Sequence, residues 1–143
     1  MIVVDASVAA KWVLPEQHSE RALAFVTSCM QTGQAVIAPP LLPFEIANIL
    51  RQRMVRQGLA LVDADRLMAD FLDFPVTLAP SAGLHQRALA IAEAHALPAA
   101  YDAHYLALAE AQGCVLWTDD RRLLRLLGGA LPFAQEIANY QVP

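Results

Sequence analysis

Lysine is nearly missing from this chain: Lys11 is the only one, against nine arginines. The arginines bring no basic excess, because the formal net charge is −4. That balance excludes a protein that coats nucleic acid by bulk electrostatics, but not a chemistry that gathers acids around a cation. Cysteine is scarce as well. Cys29 and Cys114 are too few and too far apart for a zinc cluster, and they read as reduced, buried thiols. No apolar run is long enough to span a bilayer; the most apolar stretch, Val36 to Phe44, is short and carries three prolines. The amino terminus lacks a basic segment, and Asp5 interrupts its apolar start. No signal peptide is therefore expected, and the expected location is cytoplasmic. Aromatic residues amount to 7% and form no run resembling a platform for stacked bases.

What the chain does hold is apolar mass. Hydrophobic residues make up 57% of its 143 positions and charged residues 17%. The length suits a single domain over residues 1–143 with one core. The apolar share is high for a small domain. A large core and a partner-covered surface both account for it, with a homodimer as the expected cover.

Apolar runs and helical patterns alternate along the chain. Met1 to Val4 reads as a buried strand, and Ala6 to Leu14 as a short helix ended by Pro15. Ser19 to Gln31 has helical spacing and stops near Gly33, and Ala35 to Ala38 is a second strand closed by Pro39 and Pro40. Leu41 to Gln57 is a long helix with Pro43 in its first turn, ended by Gly58. Val62 to Phe74 is a further helix, followed by a strand over Val76 to Leu78. Ser81 is placed to cap a helix running to about His95, and a helix from about Ala99 to Gln112 follows. Cys114 to Trp117 is a fourth strand, Asp119 to Leu127 a short helix, and Ile137 to Tyr140 a candidate edge strand. Such alternation predicts an α/β fold, a parallel sheet with helices on both faces. Ligands in such sheets bind beyond the carboxyl ends of the strands, where strand order reverses. Polar residues directly after strands one and four therefore carry the most weight: Asp5 and Ser7, and Thr118, Asp119 and Asp120.

Each acid has a bland alternative. Asp5 suits a turn or helix N-cap. Glu45 suits the positive end of the long helix's dipole, although Leu41, Leu42 and Ile49 put it at the border of an apolar face, with Asn48 in reach. Asp102 falls in line with Tyr105, Leu106 and Ala109, on an inward stripe where a lone carboxylate is costly unless paired or metal-bound. Of Asp119 and Asp120, one is expected to cap the following helix and the other to face the site. Two unit charges ~4 Å apart repel by about 4 kcal/mol at an effective dielectric of 20. A hard divalent cation removes that cost, and an all-carboxylate set suits Mg²⁺ or Mn²⁺ rather than zinc.

Four short motifs bring a family into view. Ile2-Val3-Val4-Asp5-Ala6-Ser7, Glu45-Ile46-Ala47-Asn48-Ile49-Leu50, Tyr101-Asp102-Ala103 with Tyr105-Leu106-Ala107-Leu108-Ala109, and Thr118-Asp119-Asp120-Arg121-Arg122-Leu123 occur in order. Here the sequence resembles the PIN-domain family, and within it the VapC-type toxins of bacterial toxin–antitoxin pairs. The resemblance implies a three-layer α/β/α sandwich around a parallel sheet of four to five strands. It also implies Mg²⁺- or Mn²⁺-dependent endoribonuclease activity, homodimerisation and inhibition by a cognate antitoxin. Asp5, Glu45, Asp102 and Asp120 are then the catalytic, metal-holding acids, with Glu45 acting through water or on the nucleophile. Ser7, Asn48, Thr118 and Asp119 are expected to orient them, and the motif's register selects Asp120 over Asp119.

Arg51, Arg53 and Arg56, and Arg121, Arg122 and Arg125, are either solvated helix faces or contacts to RNA phosphates or antitoxin carboxylates. His18, His85, His95 and His104 form no ligand pattern. Trp117 is expected in the core, and Trp12 and Phe44 in the core or a dimer contact. A phosphotransfer enzyme would need a lysine late in the sheet, and no lysine follows Lys11. The remaining alternative is a catalytically silent module of the same fold that binds RNA or protein.

Overall fold

The computed structural model describes residues 1–141. Five short parallel strands form one sheet: β1 (Ile2–Val4), β2 (Val36–Ala38), β3 (Val76–Leu78), β4 (Leu116–Thr118) and β5 (Ala134–Glu136), in the order β3-β2-β1-β4-β5. Seven α-helices connect them among the described residues: α1 (Ala6–Ala9), α2 (Ser19–Thr32), α3 (Leu42–Gln57), α4 (Leu61–Leu72), α5 (Leu84–Ala94), α6 (Tyr101–Gln112) and α7 (Arg121–Leu127). The chain runs from β1 outward to β2 and β3, then crosses back over β1 to β4. Right-handed crossovers travelling in opposite directions lie on opposite faces. The α5–α6 pair thus covers the face opposite α1 to α4, giving three layers. The switch point falls between β1 and β4. Val3 pairs with Leu116 and Val4 with Trp117, so Asp5 leaves β1 level with the end of β4.

Burial explains why these segments take these forms. Val3, Val4, Val36, Ile37, Ala38 and Leu116 are all buried, the continuous apolar run expected of strands covered on both faces. α6 is the central helix: Ala103 and Tyr105 through Ala109 are all buried. The expected single inward stripe is therefore too narrow, and α6 is apolar nearly all round because it is enclosed nearly all round.

Several local expectations change. α5 is capped at Gly83, in the left-handed region (φ 72°), and not by the Ser81 side chain; the Ser81 carbonyl instead accepts the Leu84 N–H. The edge strand is Ala134–Glu136, and Ile137–Asn139 is a 3-10 turn that buries Ile137. The fourth strand starts two residues late, at Leu116, and includes Thr118. The helix after Asp5 is one turn, Ala6–Ala9, continued by a 3-10 turn over Ala10–Trp12. Trp12 is in the core, packed on Phe71 and Phe74. Trp117 is half-buried in an aromatic group with Phe25 and Tyr140, and Phe44 is 77% exposed. Cys29 is buried, Cys114 half-buried, and both are free thiols.

Leu106 is fully buried, whereas Leu89 of α5 is 63% exposed. Leu106→Ala should lower stability by about 2–5 kcal/mol, and Leu89→Ala should stay within about 0.5 kcal/mol of wild type. Urea titrations check the pair through the midpoint at unchanged slope.

Candidate metal centre

The end of β1 is built around one carboxylate oxygen. Asp5 is 4% exposed. Its Oδ1 accepts the Ser7 hydroxyl at 2.6 Å and the Val8 N–H at 3.1 Å, which caps α1. Ser7 Oγ also accepts the Asp119 N–H at 2.7 Å and lies 3.4 Å from Thr118 Oγ1. One small hydroxyl therefore ties the ends of β1 and β4 together. Thr118, fully buried, accepts the Asp120 N–H at 3.0 Å. Asp120 Oδ1 in turn caps α7 by accepting the Leu123 N–H at 2.9 Å.

The doubled aspartate is thus divided differently from expectation. Asp120 both caps α7 and faces the acids, because α7 begins at Arg121 and the cap occupies one oxygen only. Asp119 turns the other way. Its two oxygens meet Lys11 Nζ at 3.0 Å and His18 Nδ1 at 2.9 Å. Lys11, 6% exposed, also meets Glu16 at 3.0 Å, and Glu16 pairs with Arg53. This brace around the buried Lys11 was not visible in the sequence, since its members lie on four separate segments. The sole lysine was its one available signal.

Glu45 and Asp102 enter from α3 and α6. Tyr105, one turn beyond Asp102 and buried, donates its hydroxyl to Glu45 Oε2. Tyr105, not Asn48, holds Glu45; Asn48 is exposed and forms no hydrogen bond with it. Asp102 is the hub, since its charge acts on Asp5 and on Glu45, and Asp120 acts on it. Burial pushes the Asp5 carboxyl up to about 7, against stabilisation of its anion by Ser7, Thr118 and the Val8 amide. Glu45 and Asp102 are also raised, first by burial and then by neighbouring negative charge and, for each, relieved in part by Tyr105 or Arg122 respectively. The Tyr105 hydroxyl is held firmly in its protonated form by burial and by Glu45.

Among the described residues, none of Asp5, Glu45, Asp102 and Asp120 belongs to an ion pair. Ser7 and Val8 both bond Oδ1 of Asp5, Tyr105 bonds Oε2 of Glu45, and Leu123 bonds Oδ1 of Asp120. This all-oxygen, uncompensated donor set fits a hard divalent cation. No three Asp, Glu, His or Cys side chains form a ready-made cage among the described residues.

The arginines separate into engaged and open ones. Arg53 pairs with Glu16, and Arg121 with Glu136 at 2.7 Å. Arg122, exposed at the start of α7, lies near enough to lower the Asp102 pKa. Arg51, Arg56 and Arg125 are exposed. A cavity of about 330 Å³ lined by Leu41, Phe44, Glu45, Asn48 and Tyr101 opens beside Glu45. A larger one, about 760 Å³, lies beside Glu16, His18, Arg21 and Tyr140 and includes none of the four acids.

Comparison with known proteins bears on the family and the fold. The family model described as PIN domain matches residues 2–128. The chain is 37% identical over 123 residues to the VapC ribonuclease Mb0985 of Mycobacterium bovis, covering 86% of this chain and 88% of that one. It is 34% identical over 128 residues to ribonuclease VapC12 of Mycobacterium tuberculosis, covering 90% and 93%. The crystal structure of PAE2754 from Pyrobaculum aerophilum superposes with a TM-score of 0.68 at 25% identity, over 96% of this chain and 83% of that one.

The raised carboxyls set a pH dependence. Between about pH 4 and 7 the metal-free native state holds a proton on Asp5 that the unfolded chain has released. Its contribution to stability is therefore complete below pH 4 and is lost as pH rises through 7. Asp5→Asn should flatten this fall. Mg²⁺ should raise the melting temperature more at pH 7.5 than at pH 5, because the ion competes with protons for the same oxygens. Calorimetry of both proteins at the two pH values, with and without Mg²⁺, measures each effect.

Proposed function

From the premise that this chain belongs to the PIN-domain family, we propose that it is a Mg²⁺- or Mn²⁺-dependent endoribonuclease, the toxin of a toxin–antitoxin pair. The observation that carries the reading is that four acids outside any ion pair act on one another's charge through Asp102, on the scaffold of a family whose similar members are named ribonucleases. Asp5, Asp102 and Asp120 offer carboxylate oxygens to the ion, and Glu45 faces them from α3. A bound divalent ion supplies Lewis-acid stabilisation of charge on a phosphodiester and activation of water for its hydrolysis.

The chain's own residues supply position. Ser7 and the Val8 amide fix the Asp5 carboxylate, so its free oxygen does not reorient when substrate enters. The Tyr105 hydroxyl, held protonated, does the same for Glu45 by donating to it. Arg122, whose charge acts on Asp102, meets a phosphate oxygen in this reading. The Lys11–Asp119 brace holds the β4–α7 turn from behind. Exposed apolar side chains, among them Phe44, Val55, Leu61 and Val62, offer surface for a second copy of the chain and for the antitoxin.

Asp5→Asn and Asp102→Asn should each lower RNA cleavage by at least about a hundredfold at saturating Mg²⁺. Ser7→Ala should raise the Mg²⁺ concentration required by roughly tenfold. Gel assays on total RNA, with EDTA as control, give the rates. Wild-type cleavage that persists in EDTA, or an Asp5→Asn protein as fast as wild type, would overturn the proposal.

A further inference from the structure

A second hollow lies beside the acids, and the hydrolysis described above does not use it. Its volume is about 420 Å³, within the range of small-ligand sites. Pro40, Leu41, Leu84 and Tyr101 wall it, and His85 and His104 form its polar edge. Leu41 and Tyr101 also line the hollow that contains Glu45, and Tyr101 directly precedes Asp102. The two spaces share a wall, so a ligand lying across the acids extends naturally into the second.

The histidine edge has a fixed direction. His104 Nδ1 lies 2.6 Å from the Ala100 carbonyl, which only accepts, so Nδ1 carries the hydrogen. In the neutral ring Nε2 is then an acceptor. It lies 2.9 Å from His85 Nδ1, which must donate to it. His85 is exposed and lines the hollow, and in its neutral form Nε2 carries a lone pair. Besides Ser81, the site therefore combines flat apolar walls, a 65% exposed tyrosine ring and an oriented acceptor on His85. A nucleobase matches all three, with a face to pack and N–H donors at its edge. An aliphatic or acidic side chain would leave the acceptor unused or opposed.

We propose that this hollow holds the base of the nucleotide adjoining the scissile phosphodiester of single-stranded RNA, packed against Tyr101 and donating an N–H to His85 Nε2. The placement next to the cut rests on the ribonuclease reading. Pro40–Leu41, Leu84–His85 and Tyr101–His104 come from three separate segments, which is why no platform of this kind shows as a run of aromatics in the sequence. The site makes His85 and Tyr101 determinants of base preference rather than of hydrolysis.

The test separates binding from turnover. In the Asp5→Asn protein, imidazole nitrogen resonances are followed by NMR during titration with AMP, GMP, CMP and UMP, and with ribose 5-phosphate as the base-less control. At least one nucleotide should shift His85 and His104 while ribose 5-phosphate does not. His85→Ala and Tyr101→Ala, both changes of exposed side chains, should each weaken that nucleotide by roughly tenfold. In the wild-type background the same two changes should alter the base found next to the cut in random-sequence RNA. Equal shifts from ribose 5-phosphate, or no shift from any nucleotide, would overturn the pocket. So would resonances that respond to protein concentration alone, which would mean that a second copy closes the hollow. Nucleotide shifts with no RNA cleavage by wild type would overturn the ribonuclease reading and leave the base pocket standing.

Discussion

Negative charge held together away from water is the constraint on which this structure turns. Asp5, Glu45 and Asp102 are all raised from their ordinary carboxyl range, with burial as the leading cause and mutual repulsion as a contributor. A chain selected for stability alone would place an arginine among them or replace them with apolar side chains. Neither has happened. Arg122, whose charge acts on Asp102, lies outside ion-pair distance, and the buried lysine serves Asp119 and Glu16 instead. A site that keeps its acids uncompensated stores an unfavourable term that a divalent cation relieves.

The surrounding hydrogen bonds make that arrangement stiff. The bonds fall on single oxygens: Ser7 and Val8 on one of Asp5, Tyr105 on one of Glu45, Leu123 on one of Asp120. Two of the acids are simultaneously helix caps, so holding the site and starting α1 and α7 are one and the same act. The caps also show why a bland reading of an acid in sequence need not compete with a functional one. A carboxylate has two oxygens, and the fold uses them separately.

The sheet supplies the frame. Parallel pairing of β1 with β4 places the Asp5 turn against the Thr118–Asp120 turn, and Ser7 bridges the gap. α3 and α6 then approach from opposite layers and meet through Tyr105 and Glu45. No element contributes more than part of the centre. The hollow edged by His85 and His104 is assembled in the same way, from connections on either side of the sheet's carboxyl edge.

Much of this was legible in the residues. Continuous apolar runs such as Met1 to Val4 announce buried strands because both faces of the sheet are covered, and the strand–helix alternation leaves few topologies. The four acids stand out because each follows a strand or opens a helix. Other features are decided only when distant segments meet. Asp119 and Asp120 are neighbours with the same chemistry, and only the position of Lys11 and His18 sends one backward and the other toward Asp102. Likewise, Asn48 is the nearer partner of Glu45 in sequence, but Tyr105, sixty residues away, reaches it in space. Local patterns set which segments become strands and helices, since periodicity and capping act over a few residues. Which oxygen faces which neighbour is set by contacts between segments far apart in the chain, and that is a property of the folded molecule alone.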